Sequence, residues 1–93
     1  MKELIKILDI MKEKNYKCII DYETVEKHRK ELGLPKHSLW RTSMKWDSMD
    51  YDLGVKCRNE ISNILNAFKN DNIDIRLRKE KEILEFIRNY LNS

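Results

Sequence analysis

Two cysteines, two histidines and three closely spaced aspartates are the side chains with most scope for catalysis or metal binding. Cys18 and Cys57 stand 39 positions apart. Neither belongs to a Cys-x-x-Cys pair, and neither His28 nor His37 falls at zinc-ligand spacing from them. Both thiols neighbour apolar residues (Ile19 and Ile20; Val55), where free cysteine behaves as a small hydrophobe, so they read as reduced and buried. Asp47, Asp50 and Asp52 lack the alternate oxygen ligands, sixth-position Gly and twelfth-position Glu of a calcium loop, and read as a solvated acidic turn. No Gly-Ser elbow or local Cys-His pair is present, and two isolated glycines cannot build a phosphate cradle. The expectation is a protein that is not an enzyme, with no catalytic residues, no metal and no cofactor.

Binding is the remaining kind of chemistry, and residues 24–46 carry the strongest signal for it. This window holds six basic and two acidic groups, whereas the whole chain is only +3. The excess suits an anion-facing patch, although a solvated face on a lysine-rich chain looks the same. Two helices about Gly33 would have the layout of a helix-turn-helix. Leu32 before the glycine, Leu34 after it and Leu39 six positions beyond it resemble that motif; Arg29 and Thr42 depart from its usual small and apolar positions. The resemblance implies that the second helix exposes Lys36, His37, Ser38, Arg41, Thr42 and Lys45 to phosphates and base edges. A plain helical hairpin offers the same spacing without nucleic acid.

Trp40 beside Arg41 is a candidate contact for nucleic acid or a protein partner, because aromatic residues and arginine are favoured at interfaces. Trp46, six positions on, is assigned to the core. Asn59, Asn63, Asn66 and Asn70 form one amide stripe, a possible second interface that AT-rich codon usage would equally produce. Lys, Ile and Asn, all from AT-rich codons, supply 32 of the residues. That composition suits a bacterium or its phage. It supports a second reading: a small phage or mobile-element adaptor or inhibitor that binds a host protein, such as a defence-system nuclease, in an anti-CRISPR-like manner without catalysis.

The elements that must position these residues follow from periodicity. Leu4, Ile7, Leu8 and Met11 predict a first helix stopped at Asn15. Alternation over 16–22 predicts a strand, and Asp21 is placed to cap a helix over 22–32 whose thin inner stripe is Val25, Leu32 and His28. Gly33 closes that helix. Pro35 fits the first turn of a third helix running to about Tyr51, with Leu39, Trp46, Met49 and Leu53 inward. Gly54 breaks the pattern before a fourth helix over 55–69. Ile73, Ile75 and Leu77 alternate with Asp74, Arg76 and Arg78 as a strand over 73–78, available to pair with 16–22, and a last helix spans 79–92. The fold class is therefore α+β, mainly α, with four to five helices and two short strands.

With 93 residues, 41% hydrophobic and 38% charged, the chain suits one folded domain spanning 1–93. No apolar run reaches membrane length and the first residues are too charged for a signal peptide, so a cytoplasmic protein is expected. Ile19, Trp40, Met44 and Tyr51 fall off the main apolar faces. They predict a homodimer with Trp40 or the Asn59–Asn70 face near the contact.

Overall fold

Leu4, Leu8 and Met11 recur at helical spacing and are fully buried along α1 (Lys2–Glu13). The computed structural model describes residues 1–47 and 50–92. Asn15 stops the helix in the left-handed region, with φ of 55°, and the chain enters β1 (Lys17–Ile20). The Asp21 carboxylate accepts the Thr24 N–H at 3.2 Å and caps α2 (Tyr22–Glu31). The inner face of α2 is Tyr22, Val25 and Arg29, whereas His28 and Leu32, expected there, are exposed. Arg29 is tolerated inside because its guanidinium donates to the Glu26 carboxylate at 3.1 and 2.6 Å and to the Leu34 carbonyl at 2.5 Å.

Gly33, with φ of 67°, turns the chain as expected, but no long third helix follows. Residues 34–39 are irregular, α3 (Trp40–Ser43) is a single turn, and Met44–Asp47 forms β2. The helix-turn-helix layout is thus not formed. Two local facts decide this. Ser43 closes the turn by donating both its N–H (2.9 Å) and its hydroxyl (2.8 Å) to the Leu39 carbonyl. Beyond it, Met44 is buried, Lys45 exposed and Trp46 half-buried, the two-residue alternation of a strand. Leu39 and Trp46 fit a helical spacing equally well, so the apolar pattern alone was ambiguous. Met49, expected on the inner face of the absent helix, lies outside the described residues, as does the side chain of Asp47.

The partner of β1 is β2 and not residues 73–78. The pair is antiparallel, with Cys18 opposite Trp46, Ile19 opposite Lys45 and Ile20 opposite Met44. The Asp50 carboxylate accepts the N–H groups of Asp52 (2.9 Å) and Leu53 (3.3 Å), starting α4 (Tyr51–Leu65) before Gly54 rather than after it. Gly54 is buried within that helix. Cys57 and Ile61 sink into the core, and a 3-10 turn (Asn66–Phe68) ends the segment. Asn72 accepts the Ile75 N–H at 3.0 Å and caps α5 (Ile73–Leu91), which takes in the whole stretch expected to be a strand.

Helix α1 packs on α4 and α5, and β1 lies along α5. Arg88 of α5 donates to the Ile20 carbonyl (3.3 Å) and pairs with Glu23 (3.3 Å), while the Tyr90 hydroxyl donates to Asp9. The described residues form five helices and one two-stranded antiparallel sheet, a mainly helical α+β fold. No helix among them is long and apolar enough to cross a membrane.

Candidate functional site

Ile73, Leu77, Glu80, Leu84, Ile87 and Leu91 follow one another along α5 in alternating steps of four and three, the spacing of a single inward seam. Five of these residues are apolar and one is a carboxylate. The burial follows the seam and not the chemistry: Glu80 is 3% exposed. One of its oxygens, Oε1, accepts the Ser38 hydroxyl, and the other, Oε2, has no hydrogen-bond partner among the described residues. Its negative charge, after burial itself, helps push the neighbouring Tyr22 phenol up to about 12.

The irregular segment 34–39 is fastened over this carboxylate by side chains. Arg29 holds the Leu34 carbonyl, Lys36 pairs with Asp74 at 2.6 Å, Ser38 donates to Glu80, and Leu39 is buried. Helix α3 follows and sets Trp40 into the core at 6% exposure, reversing its expected role as a surface contact; Trp46 is the half-buried one. The Arg41 guanidinium lies 4.3 Å from the centre of the Trp40 ring and donates to the Ser62 hydroxyl of α4 at 2.7 Å.

These pieces border a cleft of about 180 Å³ between α3, the end of α4 and the start of α5. Ser38, Trp40 and Arg41 line it from one side, Ser62, Asn66 and Lys69 from another, and Arg76 and Glu80 from α5. Three cations and one buried carboxylate therefore share the space. Arg41 is committed to Trp40 and Ser62. The Lys69 and Arg76 side chains have no ion pair or hydrogen bond among the described residues.

Of the residues singled out in the sequence, the cleft gathers Ser38, Trp40, Arg41 and Asn66. The others do not join it. Lys36 is bound to Asp74, and the His37 ring nitrogen Nδ1 lies 2.8 Å from the carbonyl of Pro35, two residues before it. Thr42 is exposed on α3, and Lys45 stands on the outer face of the sheet across from Ile19. Asn59, Asn63 and Asn70 are exposed along the amide stripe. Glu80, Lys69, Arg76 and Ser62 were missed. Glu80 had a readable signal, a lone acid on an apolar seam, which the strand reading of 73–78 cut in two. Lys69 and Arg76 flank the turn at Asn70–Asn72 and carry no local mark.

The other chemistry-bearing groups stand apart. Cys18 and Cys57 are free, and burial pushes both thiols up to about 12. Asp50 serves as a helix cap, and among the described residues no three His, Cys, Asp or Glu side chains are grouped to hold a metal. No protein-family model, curated protein or solved structure matches the chain, so the cleft is read from its own chemistry.

Proposed function

We propose that the protein is a small, non-catalytic nucleic-acid-binding regulator that receives an unpaired stretch of strand in this cleft. The observation that carries the reading is the pair Lys69 and Arg76, two cations at one cleft that their own chain leaves unneutralised among the described residues. Such groups are counter-charges for phosphates. A basic groove with aromatic faces is the common means of holding single strands, and Trp40 and Phe68 border this cleft, the first beneath Arg41 and the second beneath Lys79, cations that a stacking base would displace. A duplex major groove takes a protruding helix or ribbon. Residues 36–45 supply no such helix, and the one ribbon among the described residues, β1 with β2, lies along α5 instead of protruding, which turns the reading from duplex to single strand. Free Cys18 and Cys57 suit a reducing cytoplasm, where the reading puts the protein.

The test is fluorescence anisotropy of a labelled single-stranded oligonucleotide of about 12 nucleotides, titrated at about 50 mM and about 200 mM salt. Lys69→Ala and Arg76→Ala are measured beside the parent. Each is expected to weaken binding to all sequences alike and to lower the slope of log K against log salt by about 0.7. Undetectable binding, or binding indifferent to salt and to both substitutions, sinks the reading.

A second reading, the adaptor or inhibitor directed at a host protein, is favoured by Ile19 and Tyr51, which are 59% and 81% exposed. Under it, Ile19→Asp and Tyr51→Ala abolish capture of a partner from nuclease-treated host extract and leave strand binding intact.

A further inference from the structure

Building on the nucleic-acid reading, we infer that the cleft selects guanine: one guanine base seats against Trp40 and Glu80, and the adjoining phosphates rest on Lys69 and Arg76. The argument starts from the unpartnered oxygen. A carboxylate only accepts hydrogen bonds, and a buried one needs donors to its free lone pairs. Ser38 serves Oε1 and nothing among the described residues serves Oε2, although three cationic side chains border the same cleft. The missing donor therefore belongs to whatever enters.

The cations decide what kind of donor that is. Arg41, Lys69 and Arg76 repel an incoming ammonium or guanidinium, so a lysine or arginine of a partner protein is a poor occupant. A neutral donor attached to an anionic chain satisfies both halves of the site, and a nucleotide is that combination. Among the bases, guanine places two adjacent N–H donors, its ring N1–H and its 2-amino group, on the pairing edge. Adenine and cytosine set an acceptor nitrogen beside their amino group, and thymine and uracil flank a single N–H with two carbonyls. A carboxylate is attracted along its whole width by guanine alone. Oε1 retains a lone pair beyond the one that Ser38 occupies, so both oxygens can accept.

Size and stacking agree with a single base. At about 180 Å³ the cleft is smaller than the 300–1,000 Å³ that encloses a drug-sized ligand, and it suits one planar group. The Arg41 guanidinium, itself planar, lies 4.3 Å from the Trp40 ring centre and marks the place where a base stacks. Oε2 is shut off from solvent, so a wall side chain must swing for the base to reach it. Arg41 is exposed and held by one hydrogen bond to Ser62 and by its stack; it is the group that gives way to the base.

The experiment is an anisotropy panel of thymine oligonucleotides carrying one central guanine, inosine, adenine, cytosine or thymine, each titrated with the unaltered protein. Guanine is expected to bind tightest, by about tenfold or more over adenine, with inosine, which lacks the 2-amino donor, in between. Glu80→Gln is expected to remove this ranking while keeping the affinity for the all-thymine strand. Equal affinity across the panel overturns guanine selection and leaves the nucleic-acid reading standing; no binding to any member overturns both. The panel itself needs no variant, so the ranking of bases decides the matter even where the Glu80→Gln protein fails to fold.

Discussion

Glu80 occupies a seam position between Leu77 and Leu84 where a leucine would pack, and it holds there a carboxylate oxygen without a partner among the described residues. Leaving such a group unsatisfied costs about 1–3 kcal/mol. Glu80→Leu is therefore expected to stabilise the protein by about 1 kcal/mol or more, read as a higher urea midpoint at unchanged slope. The same substitution is expected to erase guanine preference, so stability and recognition pull in opposite directions at this one residue. The thiols make a second residue-scale prediction. Burial holds Cys18 and Cys57 at about 12 against an ordinary 9.0, so the unfolded chain releases these protons first. Their contribution to stability is complete below pH 9 and is lost as pH rises toward 12. The urea midpoint is expected to fall between about pH 7 and about pH 10, and native thiols to react with a disulfide reagent far more slowly than unfolded ones.

At the scale of elements, the start of α5 is decided by Asn72, whose side chain accepts the Ile75 N–H. Asn72→Ala is expected to cost about 1 kcal/mol in urea unfolding and to lower helical signal, whereas Asn72→Asp keeps the cap. That cap also explains what was legible in the sequence and what was not. Helix α1, the Asp21 cap, the left-handed stops at Asn15 and Gly33, and the first strand were readable because each rests on local chemistry. The strand reading of 73–78 failed because three alternating apolar residues fit both periods; the longer seam through Glu80, Leu84 and Ile87 settles for helix. The third helix failed because the fate of Met44–Asp47 is set by β1, whose last residue, Ile20, lies 24 residues upstream of Met44. Ser38, Trp40 and Arg41 were found as a set through their residue types, but their neighbours Lys69 and Arg76 come together with them only in three dimensions.

For the whole molecule, two of the four residues that argued for self-association, Trp40 and Met44, are buried within the chain, which leaves Ile19 and Tyr51 outside. Isolated exposed apolar side chains are ordinary on a folded surface. A mass near 11.3 kDa is therefore expected by light scattering across a wide concentration range, and a rise toward twice that value returns the case for a pair built on Ile19 and Tyr51. The packing of α1 on α4 and α5 has a consequence in time. The helix made first finds its cover in the two made last, so Leu4, Leu8 and Met11 have nothing to bury against while the ribosome is still reading the middle of the message. At ordinary elongation speeds of about 5–20 residues per second, the interval between Glu13 and Leu91 is roughly 4–16 s. For those seconds the nascent chain displays an apolar helical face to the cell, a natural ligand for the chaperones that wait at the exit tunnel.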